Sequence, residues 1–145
     1  MLFRSSPGHL GDVPHTWIAA EYLLALASMV ASEREATDSM VLASGMPWAW
    51  ISSGDGFAVK GLPTRYGSLD FSIKAGNEQF IEVAIGGAFT LPPGGLSITP
   101  PLPDGRWLQP GGTVFSVASL PFHTILQLEA RPPGEPFLTR PVTPA

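Results

Sequence analysis

The densest group of chemically active side chains in this sequence lies in residues 12–21, which read DVPHTWIAAE. The segment holds two carboxylates, Asp12 and Glu21, one imidazole, His15, and one indole, Trp17. Trp17 and Glu21 are four residues apart, so they share a face if the segment is helical. An indole can stack on the C–H face of a sugar while the polar groups bind its hydroxyls, so His15, Trp17 and Glu21 are predicted to bind substrate. In the structural alternative, Asp12 caps a helix, Trp17 enters the core and Glu21 pairs with a neighbour.

A second aromatic group consists of Trp48, Trp50, Tyr66 and Trp107. These side chains could form an exposed sugar-binding face. More often such residues fill the core of a small β-sandwich, because large aromatic side chains contribute much of the area that such cores bury. The sequence leaves both interpretations open.

Several other chemistries are excluded or disfavoured by residue content. The chain has no cysteine, which excludes disulfides and thiolate sites. His9, His15 and His123 have no partner at ligand spacing, so no metal site is expected. There is no GxSxG, P-loop or GxGxxG motif, and no cofactor is predicted. The net charge is −4 with scattered basic residues, which argues against nucleic-acid binding. His123 is predicted to be a surface residue.

The element that would position the first group is an apolar helix. Residues 17–31 read WIAAEYLLALASMVA, without glycine or proline, and Pro14 suits a first turn. A helix is predicted within residues 16–34. Only Glu21 and Ser28 interrupt the run, so the helix is apolar on all sides and should be buried on most of them. The side chains expected to make its contacts are Leu23, Leu24, Leu26 and Val30.

Two membrane interpretations compete with burial against protein. A spanning helix needs about 20 apolar residues, more than this run supplies. A signal peptide would use Arg4 as its basic region and residues 25–27 as its cleavage site, but Asp12, His15 and Glu21 fall in the wrong places. Burial against protein is therefore favoured, with no membrane span. The sequence does not determine the compartment; the lack of a convincing signal peptide slightly favours the cytoplasm.

The pattern changes from helical to alternating after residue 38. Residues 68–74 alternate apolar and polar side chains and are followed by a Gly76-Asn77 turn signal. Residues 79–85 return with Ile81, Val83 and Ile85 inward, so the two segments are predicted to form a hairpin. The 16 glycines and 16 prolines favour short strands joined by many turns. Residues 62–67 are predicted as a loop or bend. The predicted strands are residues 40–43, 46–51, 68–74, 79–85, 96–99, 113–117 and 122–129.

These elements define a mainly β fold, in which an N-terminal apolar α-helix precedes an antiparallel β-sandwich of about seven strands. The predicted domain organisation is a loop and buried helix over residues 1–38, a sandwich over residues 39–130, and a disordered proline-rich tail over residues 131–145. A chain of 145 residues with so few reactive groups is too small to be a complete enzyme alone.

Three segments in order carry a family resemblance: PHTWIAAEYLLALASMVASERE, VLASGMPWAWI and GLPTRYGSLDFSIK. Over residues 11–129 the chain resembles the C-terminal end of bacterial six-hairpin glycosidases. These are (α/α)6-barrel enzymes of carbohydrate metabolism, similar to rhamnosidases and debranching-type hydrolases. In such proteins the last barrel helix leads into a β-sandwich.

The resemblance implies a non-catalytic C-terminal portion of a glycoside hydrolase that packs against a catalytic barrel. His15, Trp17 and Glu21 would then line the sugar cleft. Glycoside hydrolysis needs two carboxylates placed across the bond, and Asp12 and Glu21 are not assigned as that pair, so no catalytic residue is predicted. The alternative is a free-standing carbohydrate-binding or assembly module. The expected partners are carbohydrate and either a helical catalytic domain or a second copy through the apolar helix.

Overall fold

The computed structural model describes residues 16–135 and 141–142. Within these residues the protein is mainly β, with two five-stranded sheets and one long N-terminal helix. The sequence predicted about seven strands, whereas the described residues form ten. In chain order the elements are α1 (Thr16–Val30), β1 (Ala31–Arg34), β2 (Ser39–Leu42), α2 (Trp48–Ser52), β3 (Phe57–Thr64), β4 (Gly67–Gly76), β5 (Phe80–Gly86), β6 (Leu96–Ile98), β7 (Arg106–Leu108), β8 (Val114–Val117), β9 (Phe122–Ala130) and β10 (Pro141–Val142).

Helix α1 forms where the sequence predicted it, but it ends earlier than the predicted limit. Residues 31–34 form β1, which pairs antiparallel with β2 from Ala31↔Leu42 to Arg34↔Ser39. A short 3-10 turn connects these strands, and Asp38 closes it with a left-handed φ of 49°. Four residues are too few to show a period, so only their pairing with β2 reveals the strand.

The first sheet has the order β1-β2-β6-β8-β10 and is mixed. The β2/β6 and β8/β10 pairs are parallel, which corrects the expectation of a purely antiparallel arrangement. Strands β2, β6 and β8 lie within a residue or so of their predicted ranges. The predicted disorder of residues 131–145 is wrong at β10, where Val142 is buried. Residues 136–140 and 143–145 lie outside the described residues.

The second sheet has the order β3-β4-β5-β9-β7 and is antiparallel throughout. The predicted hairpin is confirmed as β4 and β5, with Ile73 opposite Val83 and Phe71 opposite Ile85. The inward side chains of the hairpin are almost completely buried, as the alternation requires: Leu69, Phe71, Ile73, Ile81, Val83 and Ile85.

Two other predictions are corrected. Residues 46–51 do not form a strand. Instead, α2 starts after Pro47, which has an extended backbone, and it directs Ile51 into the core. Residues 62–67 are not simply a loop, because β3 extends to Thr64. A β-bulge between Val59 and Leu62 interrupts the pairing, and Pro63 is tolerated because β3 is an edge strand.

Both sheets contribute to a single hydrophobic core. Leu42, Ile98 and Phe115 come from the first sheet, and Phe71 and Leu126 come from the second. The sheets include residues on both sides of the predicted 39–130 range, since β1 precedes it and β10 follows it.

Candidate functional site

The structure places two of the three predicted binding residues on α1. Trp17 and Glu21 both lie in the N-terminal half of the helix and are exposed, and Trp17 is 64% exposed. His15 lies outside the described residues. The helix therefore positions an indole and a carboxylate four residues apart on its outer surface.

The most unusual feature of α1 is the exposure of its apolar side chains. Tyr22, Leu23 and Leu24 are 64%, 65% and 64% exposed. Successive helical residues point about 100° apart, so these three side chains face three different directions. Leu23 and Leu24 were predicted to contribute contacts, but within this chain both are mostly exposed. The predicted burial of α1 on most of its sides is therefore not provided by this chain alone.

The C-terminal part of α1 packs against the rest of the protein. Val30 is buried and Leu26 and Met29 are half-buried. A groove of about 300 Å³ separates the helix from the end of β3, with Leu24 on the helix side and Leu62 on the strand side. The first two turns of α1 therefore project away from the sheets.

A polar cluster next to this attachment connects the two sheets. The Tyr66 hydroxyl donates to Asp38 Oδ1 at 2.8 Å, although the two residues are 28 positions apart. The amide of Arg65 donates to Glu33 Oε1 at 2.9 Å, and Arg65 forms a 3.8 Å ion pair with Glu35. Sequence reasoning missed this cluster, because neither residue spacing nor a motif connects the β1–β2 hairpin with the β3–β4 turn.

We expect the hydrogen bond between Tyr66 and Asp38 to change the titration of Tyr66. The hydrogen bond to the Asp38 carboxylate, and then desolvation, raise the pKa of Tyr66 above its ordinary value of 10.0. The bond therefore supports folding fully below pH 10, and its contribution is lost as the pH rises through the raised pKa. The chain has two tyrosines, so in Tyr22→Phe the tyrosinate absorbance reports Tyr66 alone.

The matched control for this titration is Asp38→Asn in the same background. Asparagine tolerates the left-handed backbone at this position but carries no charge. The midpoint of the Tyr66 titration should move back towards the ordinary pKa of 10.0. An unchanged midpoint would show that Asp38 does not control the ionisation.

The outward face of the second sheet carries shallow grooves. One, of about 360 Å³, crosses β3, β4 and β5, and a neighbouring one of about 200 Å³ shares its floor of Ala58, Ser72 and Ala84. Strand register places these three side chains in one row with His123. His123 is exposed, as predicted.

Four of the charged or titratable groups around this face form two pairs. His123 Nε2 lies 2.8 Å from Glu82 Oε1, and Lys74 Nζ lies 3.5 Å from Asp55 Oδ1. Among residues 16–135 and 141–142, no cluster of three potential metal ligands occurs. The grooves therefore favour no single ligand chemistry.

The second aromatic group does not form one exposed face. Trp107 lies on β7 and is only 3% exposed. Trp48, Trp50 and Tyr66 are half-buried and pack against the core, and Trp50 stacks on Phe57 with ring centroids 6.0 Å apart. The interpretation of these residues as core components fits this arrangement.

Comparison with known proteins finds no matching family model, no similar curated protein and no similar solved structure. The fold and the exposed helix define a class: a β protein of two sheets with a projecting apolar helix. Within the part of the chain that the structure describes, no helix is both long and apolar enough to cross a bilayer.

Proposed function

We propose that this chain is a non-catalytic C-terminal portion of a glycoside hydrolase. In this proposal its two sheets pack face to face as a β-sandwich, and α1 packs against the helices of a catalytic (α/α)6 barrel. The observation that carries the proposal is the exposure of large apolar side chains in several directions around α1.

The exposed area is large enough to need a partner. Five large side chains of α1 are 46–65% exposed: Trp17, Ile18, Tyr22, Leu23 and Leu24. Together they expose on the order of 600 Å², which is at the upper end for the largest apolar patch of a monomer. A stable interface buries about 800 Å² on each partner, so α1 with its exposed alanines approaches that size.

The directions of the side chains favour a helical domain as the partner. One neighbouring helix covers one side of α1, but Tyr22, Leu23 and Leu24 point in three directions. A helix that is apolar all round is characteristic of a position with neighbours on several sides. An inner helix of a barrel has such neighbours.

Two of the edge strands, β3 and β1, are less suited to association than α1. The long edge strand β3 carries a bulge, Pro63 and Lys60, and β1 at the edge of the other sheet carries Glu33 and Arg34. Bulges, prolines and charges at edges prevent pairing with other chains. The apolar helix therefore remains the strongest candidate surface.

In this proposal the N-terminal end of α1 lies at the sugar cleft. His15, Trp17 and Glu21 would be substrate-binding residues there, with Trp17 stacking on a sugar ring. The alternative is a free-standing carbohydrate-binding or assembly module. It is supported by the same exposure of α1, because a second copy of the chain would also cover part of the helix.

A photo-crosslinking experiment in the native cell separates these functions. A benzoylphenylalanine at Leu23 should crosslink to helical-hairpin peptides of a glycoside hydrolase barrel, in the same polypeptide or a bound one. The matched control is the same group at Ile125, an exposed apolar position on β9 that is 51% exposed. Crosslinks from position 23 only to a second copy would support the assembly module. The absence of any crosslink from position 23 would contradict both a barrel and a second copy as the partner of α1.

We expect no hydrolysis of aryl glycosides by the purified chain. The reason is that no carboxylate pair can be assigned, and hydrolysis normally needs two carboxyl groups about 5–10 Å apart. Release of nitrophenol should equal that of an Asp12→Asn and Glu21→Gln double variant. Turnover clearly above this control would assign catalysis to the chain itself.

A further inference from the structure

The connection between α1 and the sheets contains no linker. Val30 is the last residue of the helix and Ala31 is the first residue of β1. The direction in which α1 leaves the sheet is therefore decided by the contacts at this junction.

Two backbone hydrogen bonds hold the last turn of the helix. The amide of Ala43 donates to the Val30 carbonyl at 2.7 Å, and the amide of Gly45 donates to the Met29 carbonyl at 3.1 Å. Carbonyls in the last turn of a helix have no partner within the helix, so these bonds satisfy two of them. The segment after β2 thus caps α1.

This capping segment has two unusual backbone features. Ala43 has a left-handed φ of 64°, which is costly for a residue with a side chain, and it is buried. Gly45 packs directly on Met29: an added Cβ would lie 2.9 Å from Met29 Cα and 3.0 Å from its Cγ. Any side chain at position 45 would push the segment and the helix apart.

We infer that α1 is a rigid arm held at a fixed angle to the sheets, and that Gly45 is the residue that positions it. A helix already fixed in direction loses less conformational freedom when it docks. The rigidity belongs to this chain alone; only its use in docking rests on the proposed function.

The test measures distances between spin labels on α1 and on the first sheet. The chain has no cysteine, so labels attach only at Ala20→Cys on the arm and Ser116→Cys on β8, both exposed positions. Dilution with unlabelled chain removes distances between molecules. A rigid arm predicts a distribution about as narrow as that of a Lys60→Cys and Ser116→Cys pair, which lies wholly on the sheets.

Gly45→Ala should shift this distribution or broaden it about twofold or more, because the arm loses its fixed contact. Gly86→Ala is the matched control, since a Cβ there meets nothing within 4 Å. A broad distance distribution between positions 20 and 116 in the otherwise unsubstituted chain would overturn the inference. A distribution that Gly45→Ala leaves unchanged would overturn it too. If Gly45→Ala does not fold, the width in the unsubstituted arm decides the question. Photo-crosslinking at Leu23 tests docking separately, so failure of one proposal is distinguishable from failure of the other.

Discussion

Replacing Phe71 with alanine is expected to lower the free energy of unfolding by about 3–5 kcal/mol, the usual cost of truncating a buried phenylalanine. Phe71 lies in the middle of the second sheet, opposite Val59 on β3 and Ile85 on β5, and is 1% exposed. Its ring belongs to the core shared by both sheets. Alanine would remove apolar contacts and leave a cavity that the surrounding strands could close only in part.

Urea denaturation followed by circular dichroism measures this cost. The matched control is Ile125→Ala on the same sheet, where the side chain is 51% exposed and the loss should stay below about 1 kcal/mol. A loss below that level for Phe71→Ala would show that the inward and outward faces of β4 are assigned the wrong way round.

The isolated chain is expected to associate with itself at micromolar concentration through α1. Burial of one leucine side chain contributes about 1.5–3 kcal/mol, and several are exposed on this helix. Part of this gain is lost to the entropy of association. The remaining free energy still favours self-association, because in the isolated chain no barrel covers the helix.

The substitution Leu23→Gln should weaken this association at least about tenfold, which corresponds to about 1.4 kcal/mol. Ile125→Gln is the control, since it makes the same kind of change at an exposed position on β9 and should leave association intact. Sedimentation velocity at several concentrations gives the answer. A monomer at all concentrations would remove the main support for a partner on α1.

Two local patterns allowed correct predictions. The alternation in residues 68–74 is strict, and Ile81, Val83 and Ile85 recur at every second position after the Gly76-Asn77 turn, so the hairpin follows from sequence. The apolar run from residue 17 has no helix breaker, so α1 also follows. In both segments local preference and burial favour the same conformation.

Other elements were beyond local prediction. The segment 46–51 contains two tryptophans at alternate positions, which is typical of a strand. It nevertheless contributes to helix α2, and this conformation buries Ile51 completely in the core. Strands β1, β7 and β10 have four, three and two residues, and they exist because a longer or more central strand pairs with them.

In the candidate site, too, some properties follow from the sequence and others from the tertiary structure. The sequence by itself determined that α1 is apolar on all sides and that Trp17 and Glu21 share a face, because both properties depend only on the helical period. Only the tertiary structure decided that the first turns of α1 project from the sheets, and that Gly45 and Tyr66 reach Met29 and Asp38. Such contacts join residues far apart in the chain, and their positions are determined by the packing of the whole core.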